Sequence, residues 1–172
     1  LGSGTRSGRG GTVGIVETNG LTKYYGKHRG IIDVSFTIEE GEVFGFIGPN
    51  GAGKSTTIRS LLGLIYPTSG SARVLGLDAV KDTKKIKQRV GYLPAEVEYY
   101  ENMSTRELLL YSARFYGVDA KHSISDLADR FEVDLTRPIS DLSSGNKKKV
   151  SILQCFIHEP ELIILDEPTN GL

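Results

Sequence analysis

The residues best suited to chemistry lie in one glycine-rich stretch in the first third of the chain. Residues 48–56 fit the pattern G-x-x-x-x-G-K-[ST] of a phosphate-binding P-loop. Glycines let such a loop curl so that successive N–H groups point at an anion, and the following helix adds the positive end of its dipole. We therefore predict that this loop holds the phosphates of a nucleotide. Its members are Gly48, Pro49, Asn50, Gly51, Ala52, Gly53, Lys54, Ser55 and Thr56.

Two side chains of the loop have separate predicted roles. Lys54 carries a mobile positive charge for the β- and γ-phosphates, and the Ser55 hydroxyl is suited to ligate Mg²⁺. The apolar run 43–47 before the loop predicts a strand, and residues 57–62 after it predict a helix. A glycine-rich turn that precedes Lys-Ser by chance is the alternative, and the flanking pattern disfavours it.

A second set of chemical residues follows an apolar run near the end of the sequence. Residues 162–165 are continuously apolar, which is typical of a central parallel strand covered on both faces, and Asp166 and Glu167 follow at once. Asp166 is predicted to hold Mg²⁺ opposite Ser55, and Glu167 to deprotonate the water that attacks the γ-phosphate. For an isolated Asp-Glu pair, a solvated strand terminus is the better interpretation. The P-loop in the same chain favours the catalytic one.

Composition and charge limit the class of protein. The 172 residues include 21 basic and 21 acidic side chains and one cysteine, and 38% of them are hydrophobic. The equal numbers of basic and acidic side chains give no net positive charge for binding nucleic acid, so no nucleic-acid partner is expected. No apolar run approaches the ~20 residues that span a bilayer. Cys155 is predicted to be a buried small apolar residue, and its isolation favours a reducing cytoplasm.

The first half of the chain predicts mainly strands. Residues 1–14 contain almost nothing that can be buried and are predicted to be a linker or a cloning remnant, with a basic arm for RNA as the weaker alternative. The alternation in residues 31–38 predicts a half-buried strand. A further short strand is predicted at 71–75, and a lysine-rich helix at about 81–89. The residues of 31–38 predicted to share the buried face are Ile32, Val34, Phe36 and Ile38.

The second half of the chain becomes helical. Ser104 and Glu107 form a capping box, S-x-x-E, which predicts the start of a helix. Apolar residues at i, i+3, i+4 and i+7 within 124–131 predict a second helix with one buried face. A third helix is predicted over 144–157, with His158 as its C-terminal cap. The fold class is therefore α/β, with strands, a P-loop unit, an inserted helical block and a returning core strand.

A third motif, Leu142-Ser143-Ser144-Gly145-Asn146, lies at the start of the predicted third helix. It is similar to the signature L-S-G-G-Q of the ATP-binding-cassette (ABC) ATPase family, with Ser144 for the first glycine and Asn146 for the glutamine. A helix N-terminus with a serine presents N–H groups and a hydroxyl to a phosphate. With the P-loop and the Asp-Glu pair, this motif makes residues 15–172 resemble the ABC ATPases. The three lysines at 147–149 are predicted to form a solvated helix face.

The resemblance implies a fold with defined parts. It is a P-loop NTPase core sheet with an N-terminal antiparallel β part and an inserted helical sub-domain. The core is expected at about 15–97 and 158–172, and the helical sub-domain at about 98–157. The family's histidine that contacts the γ-phosphate has no counterpart before residue 172. We therefore expect a C-terminally truncated piece of a longer protein, with weak turnover by this piece alone.

The resemblance also implies an activity and partners. The expected activity is hydrolysis of Mg-ATP in a nucleotide-sandwich homodimer, where Ser143, Ser144 and Gly145 contact ATP held by the P-loop of the second subunit. The dimer is expected to drive export through a separate transmembrane permease at the cytoplasmic face of the cell membrane. The bacterial multidrug or bacitracin-type exporters are the most similar branch. The alternatives are a soluble ABC ATPase acting on ribosomes or DNA, and a nucleotide-binding module that does not hydrolyse.

Other positions follow from the resemblance. Tyr25 is implied to stack on adenine, with Tyr24 as the neighbouring candidate. Residues 168–172 match the start of the family's D-loop, which contacts the facing subunit. Ala95 stands where the family usually has a glutamine that touches Mg²⁺. Either Glu96, which follows it, or water takes the place of the glutamine, or the coupling to the transmembrane partner differs.

Overall fold

The computed structural model of the chain describes residues 14–168. The predicted linker up to residue 13, and residues 169–172 of the predicted D-loop, lie outside the described residues. No helix within the described part has the length and hydrophobicity needed to cross a bilayer. The described residues form two hydrophobic clusters, one beneath an antiparallel sheet and one among helices.

The antiparallel sheet contains the first strands of the chain. Its four strands run in the order β2-β1-β3-β4, and β1 lies between β2 and β3. Val16 of β1 pairs with Ile38 on one side and with Val74 on the other. The strands predicted at 31–38 and 71–75 are therefore present. The bounds are β1 (Val16–Tyr25), β2 (His28–Ile38), β3 (Ser69–Val74) and β4 (Leu77–Asp78).

The strand β2 changes its buried face along its length. Its second half packs against the core as predicted, but Ile31 is buried and Ile32 is largely exposed. Asp33 has a left-handed φ of 52°, and the pairing of β1 with β2 shifts register beside it. A residue outside the extended conformation rotates the chain and moves the inward positions by one. The predicted place of Ile32 on the buried face is therefore wrong.

The predicted strand at 43–47 is absent from the described sheets, because no described residue pairs with this run in a ladder. Its aromatic residues Phe44 and Phe46 contact the ring of Phe36 at centroid distances of 5.2 and 5.3 Å. Val43 and Ile47 are 99% and 100% exposed. An apolar run forms a strand only where a neighbouring edge supplies hydrogen-bond partners. Within the described residues, the run is therefore packed through its aromatic side chains and not paired as a strand.

The P-loop helix α1 (Lys54–Leu61) begins inside the motif, three residues before the predicted start. A second helix, α2 (Thr83–Arg89), confirms the lysine-rich helix and leads into β5 (Val90–Leu93). β5 pairs in parallel with β6 (Leu162–Leu165). The side chains of β6 are half-buried or exposed, so the prediction of a strand covered on both faces is wrong within the described residues.

Three α-helices lie between β5 and β6 in the sequence. They are α3 (Thr105–Tyr116), α4 (Lys121–Phe131) and α5 (Ser144–Phe156), with a short 3-10 helix (Ile139–Asp141) before α5. The predicted capping box is confirmed, because Ser104 caps α3 and exchanges hydrogen bonds with Glu107. The bounds 98–157 of the helical sub-domain stay a prediction. The helical cluster includes Leu108, Leu109, Ile124, Ala128, Val150 and Leu153.

The helix α5 lies directly on β5. A side chain at Gly91 would clash with the carbonyl oxygen of Cys155, so glycine permits the close approach. Burial raises the pKa of the Cys155 thiol to about 12, and the prediction of a buried cysteine is confirmed. The predicted cap at His158 is wrong. Its ring instead stacks on Tyr116 at a centroid distance of 3.7 Å and an interplanar angle of 5°.

Candidate functional site

The P-loop enters α1 through left-handed glycines. Gly51 and Gly53 have φ angles of 82° and 94°, which side chains other than glycine rarely adopt. Gly53 is the N-cap of α1, and no described side chain caps this helix. A Cβ atom at Gly53 would clash with Ile31 of β2, so the loop also needs glycine for space. The first N–H groups of α1 are thus left without a side-chain cap at the place where an anion would bind.

The ammonium of Lys54 lies against its own loop. Its Nζ atom donates to the carbonyl oxygens of Gly48 at 2.8 Å and of Pro49 at 3.1 Å. These carbonyls hold the positive charge beside the uncapped start of α1. A phosphate oxygen is a stronger acceptor than a carbonyl for an ammonium group. The lysine can therefore exchange these contacts for a nucleotide.

The hydroxyl of Ser55 joins the P-loop to the end of β6. It donates to Oδ1 of Asp166 at 3.1 Å across 111 residues of sequence. The backbone N–H of Asp166 donates to the carbonyl of Leu93 at 2.8 Å, which continues the pairing of β5 with β6 by one residue. Asp166 is only 2% exposed. The two predicted metal ligands are thus adjacent.

The second carboxylate oxygen of Asp166 identifies a place for a cation. Oδ2 is buried and has no hydrogen-bond partner among the described residues. No group of three or more His, Cys, Asp and Glu side chains suited to a metal occurs in the described part of the chain. Mg²⁺ typically takes one or two protein oxygens, with phosphate and water oxygens completing its shell. Ser55 and Asp166 therefore fit Mg²⁺ bound together with a nucleotide.

Glu167 follows the buried Asp166 in a left-handed turn. Its φ angle is 51°, and its residue is exposed where Asp166 is buried. The turn therefore separates the two adjacent carboxylates into one buried and one accessible group. Nζ of Lys148 donates to the backbone carbonyl of Glu167 at 3.5 Å. Lys148 is buried, so the predicted solvated face at 147–149 is wrong at this position.

The ring of Tyr25 lies beside the P-loop. A Cβ atom at Gly30 would be 3.0 Å from the Tyr25 ring and 3.3 Å from the Thr56 methyl group, so both flank the same glycine. Lys23 places its Nζ 5.5 Å from the Tyr25 ring centroid and also donates to the Tyr66 carbonyl. An exposed ring at this position can stack on a base. Sequence reasoning missed Gly30, although a glycine inside a strand often marks close approach.

The signature residues lie at the start of α5. Ser143 is the N-cap, and its hydroxyl accepts a hydrogen bond from the Asn146 N–H at 3.3 Å. Ser143 and Ser144 are exposed, and no described atom lies within 4 Å of a Cβ atom built on Gly145. The helix start is therefore open to an incoming group. Sequence reasoning located this start correctly.

Tyr92 is a neighbour of the site that sequence reasoning missed. Burial raises the pKa of Tyr92, and the negative charge of Asp166 raises it further. The phenol therefore stays neutral beside the buried carboxylate. Ala95, two residues after β5, carries no ligand atom on its side chain, and Glu96 is exposed. The role of Glu96 as a metal ligand in place of the glutamine stays a prediction.

Comparisons with known proteins agree with these motifs. Residues 31–170 match the family described as ABC transporter. The bacitracin transport ATP-binding protein BcrA of Bacillus licheniformis is 39% identical over 160 residues, which cover 92% of this chain and 52% of that protein. The ABC transporter ATP-binding protein NatA of Bacillus subtilis is 41% identical over 150 residues, which cover 84% and 61%. The chain thus spans little more than half the length of these curated relatives.

Solved structures show the same fold. A structure described as the ATP-binding subunit of an ABC transporter has a TM-score of 0.83 and 32% identity, with 92% of this chain and 68% of that chain covered. The structure of cbiO1 from Clostridium perfringens, described as part of the ABC transporter complex cbiONQ, has a TM-score of 0.78 at 25% identity, with coverages of 92% and 67%. The predicted α/β fold of ABC ATPase type is confirmed.

Proposed function

The chain belongs to the ABC transporter family, and from this premise we propose that it is the ATP-binding subunit of an ABC exporter, which binds and hydrolyses Mg-ATP. The observation that carries the proposal is the hydrogen bond of 3.1 Å between Ser55 and Asp166, which joins the P-loop to the end of β6. A buried carboxylate oxygen beside a hydroxyl suits a small hard cation that arrives with nucleotide phosphates.

Nucleotide binding uses three kinds of contact. The P-loop N–H groups and Lys54 hold the phosphates, and Tyr25 stacks on the adenine ring. Ser55 and Asp166 hold Mg²⁺, which when bound neutralises charge on the β- and γ-phosphates. Tyr25 is supported over Tyr24 because its ring lies against the same glycine as Thr56 of the P-loop.

Glu167 is the general base of the proposed hydrolysis. Its carboxylate accepts a proton from a water molecule while the water oxygen bonds to the γ-phosphorus and the bond to the ADP oxygen breaks. Its exposed position next to the buried Asp166 supports this role, because a base must reach water while a metal ligand is held away from it.

A second copy of the chain completes the proposed site. Ser143, Ser144 and Gly145 bind the phosphates of ATP held by the P-loop of the neighbouring subunit, in a homodimer. The support is the exposed start of α5, where the Gly145 backbone is open. A helix N-terminus of this kind presents N–H groups to an anion.

The proposed membrane partner is a separate permease that holds the protein at the cytoplasmic face of the membrane. The segment 96–100 after β5 is proposed to face it. Tyr100 of this segment and Phe115 of α3 pack edge-to-face on Tyr111 at 5.6 and 4.9 Å, and both are largely exposed. Exposed contiguous aromatic surface often marks a protein contact. The relative BcrA is named for bacitracin transport, which favours an exporter over a soluble ABC ATPase.

Calorimetric titration with Mg-ATP tests the nucleotide site. Lys54→Ala removes the charge held at the loop, and we expect its affinity to fall at least about tenfold, because charge-assisted contacts to phosphate are strong. Lys84→Ala on the exposed side of α2 is the matched control and is expected to bind as the unaltered protein does. Equal affinity of Lys54→Ala and the unaltered protein would contradict the central assignment.

Phosphate release by the full-length protein tests hydrolysis. Glu167→Gln keeps the size of the side chain but removes the base, and we expect turnover to fall about 100-fold or more while Mg-ATP still binds. If this variant hydrolyses ATP as fast as the unaltered protein, Glu167 is not the base. That result would favour another base or a module that only binds nucleotide.

A further inference from the structure

Lys148 is a buried cation that the proposed mechanism does not use. Its residue is 6% exposed, whereas its neighbours Lys147 and Lys149 are half-buried. None of the three ion pairs between described residues includes Lys148. Burying an ammonium costs several kcal/mol unless hydrogen bonds or charges compensate it. The groups around the Nζ atom of Lys148 must therefore compensate for its burial.

The Nζ atom of Lys148 ends at the backbone of Glu167. It donates to the Glu167 carbonyl at 3.5 Å, and the donor and acceptor belong to residues 19 positions apart in sequence. The same Glu167 has a left-handed φ angle of 51°. This conformation is unfavourable for an ordinary L-residue, because its Cβ atom comes close to the following carbonyl oxygen. A buried positive charge that attracts the carbonyl favours this turn over the alternatives.

We propose that Lys148 is a positioning residue for Glu167. Its ammonium holds the Glu167 carbonyl, fixes the left-handed turn at the end of β6, and thereby aims the carboxylate at the water that attacks the γ-phosphate. The inference rests on the proposed role of Glu167 as the base. In this proposal Lys148 acts through the backbone carbonyl of Glu167 and not by contact with the water or the nucleotide.

The location of Lys148 on α5 also supports its proposed role as a positioning residue. Ser143 caps the same helix five residues earlier, at the surface proposed to meet the nucleotide of the neighbouring subunit. α5 also packs on β5 where Gly91 meets the Cys155 backbone, and β5 pairs with β6, so this helix and β6 belong to one packed unit. Lys148 is thus the side chain of α5 that connects this helix to the base.

Lys148→Met and Lys148→Arg separate positioning from simple packing. Methionine fills similar space without charge, and replacing an uncompensated buried charge by an apolar group is commonly neutral or stabilising. A merely structural role therefore predicts normal turnover in Lys148→Met. Arginine keeps a charged donor. Lys149→Met removes the neighbouring charge of the same helix and is the matched control.

The measurements are kcat and KM for Mg-ATP hydrolysis by the full-length protein, with the thermal unfolding midpoint of each variant. We expect Lys148→Met to lower kcat about tenfold or more, with KM within about twofold, because displacement of a reacting group by ~1 Å costs up to about 100-fold. Lys148→Arg is expected to keep most of kcat, and Lys149→Met all of it. In the Glu167→Gln background, Lys148→Met is expected to cost nothing further.

Several outcomes would overturn the proposal. They are a kcat for Lys148→Met within about twofold of the unaltered protein, a loss that appears in KM instead of kcat, or an equal further loss in the Glu167→Gln background. If Lys148→Met does not fold, Lys148→Arg decides, and a folded Arg variant as slow as Glu167→Gln overturns the idea. Normal turnover by Glu167→Gln would instead refute the proposed base itself, which keeps the two failures distinct.

Discussion

Two helices of this protein begin at motifs suited to phosphate, and they begin in opposite ways. α1 starts from Gly53, in a left-handed conformation with no capping side chain among the described residues. α5 starts from Ser143, whose hydroxyl caps its own helix through the Asn146 N–H. The first start therefore has no described side chain that pairs its N–H groups, whereas in the second the Ser143 hydroxyl pairs one of them.

The glycines at the two helix starts, Gly53 and Gly145, also differ in whether the fold requires them. A side chain at Gly53 would clash with Ile31, so the fold itself requires this glycine. Gly145 has open space around a Cβ atom and no left-handed φ angle, so the isolated fold does not require it. The fold therefore requires a glycine at position 53, whereas at position 145 only the proposed contact with the neighbour's nucleotide does.

The largest expected effect is that of Gly53→Ala. The clash and the strained φ angle of 94° are expected to lower the free energy of unfolding by about 2 kcal/mol or more and to abolish measurable Mg-ATP binding. Gly51→Ala is the control, since it shares the left-handed φ angle but has open space. Thermal unfolding and calorimetry would measure both. Normal ATP binding by Gly53→Ala would remove the distinction between the two helix starts.

A smaller loss is expected for Ser143→Ala. Removing a serine N-cap typically costs about 1 kcal/mol of folding free energy. Mg-ATP binding to the isolated subunit is expected to stay unchanged, because this helix start is proposed to contact the neighbour's nucleotide. Ser144→Ala, one residue later and without the cap bond, is the control for stability. A loss of stability as large as that of Gly53→Ala would contradict the proposed difference between the two helix starts.

A gain in stability is expected for Gly145→Ala. Alanine favours a helix over glycine by up to about 1 kcal/mol, and no described atom opposes the added methyl group. The same methyl group is expected to impair ATP-dependent dimerisation, which size-exclusion chromatography with Mg-ATP in the Glu167→Gln background would measure. Dimerisation equal to that of Glu167→Gln alone would contradict the proposed contact. A lower unfolding midpoint would contradict the open space.

The smallest expected change in the free energy of unfolding at neutral pH concerns His158, which follows the C-terminal end of α5. Burial lowers the pKa of His158 in the folded protein, so the unfolded chain takes up the proton first as the pH falls. The free energy of unfolding therefore decreases below pH ~6.5, the ordinary value, by no more than about 1.4 kcal/mol per pH unit. His158→Gln is expected to lose this part of the dependence in urea titrations between pH 7.5 and 5. His122→Gln, exposed on α4, is the control, and an identical change in both variants would contradict the assignment.

The parts of the site that rest on local chemistry could be predicted from the sequence. The start of the P-loop helix and the capping serine of α5 each follow from residue types at fixed spacing. The Ser55–Asp166 pair spans 111 residues, and it could be predicted because each partner belongs to its own recognisable motif. A loop of this kind needs only its own glycines and the helix that follows. The fold class could be predicted for the same reason, because each motif is typical of a known order of strands and helices.

The parts that rest on distant partners could not be predicted. The run 43–47 has the composition of a strand, but pairing depends on an edge that composition does not specify. The inward face of β2 depends on the left-handed Asp33, which interrupts an otherwise regular alternation. Lys148 belongs to a run of three lysines, and nothing in that run indicates that it alone is buried, with its Nζ atom at the distant Glu167 carbonyl.

The exposed apolar run has a consequence for the protein in solution. Residues 43–47 are β-prone and uncharged, and two of them, Val43 and Ile47, are almost fully accessible. Such a run is a template for intermolecular pairing and aggregation. Acidic residues of the turn 39–42 precede it and Pro49 follows closely, and charges and proline at such flanks act as gatekeepers against self-association. The colloidal solubility of the protein therefore depends on these flanks as well as on its core.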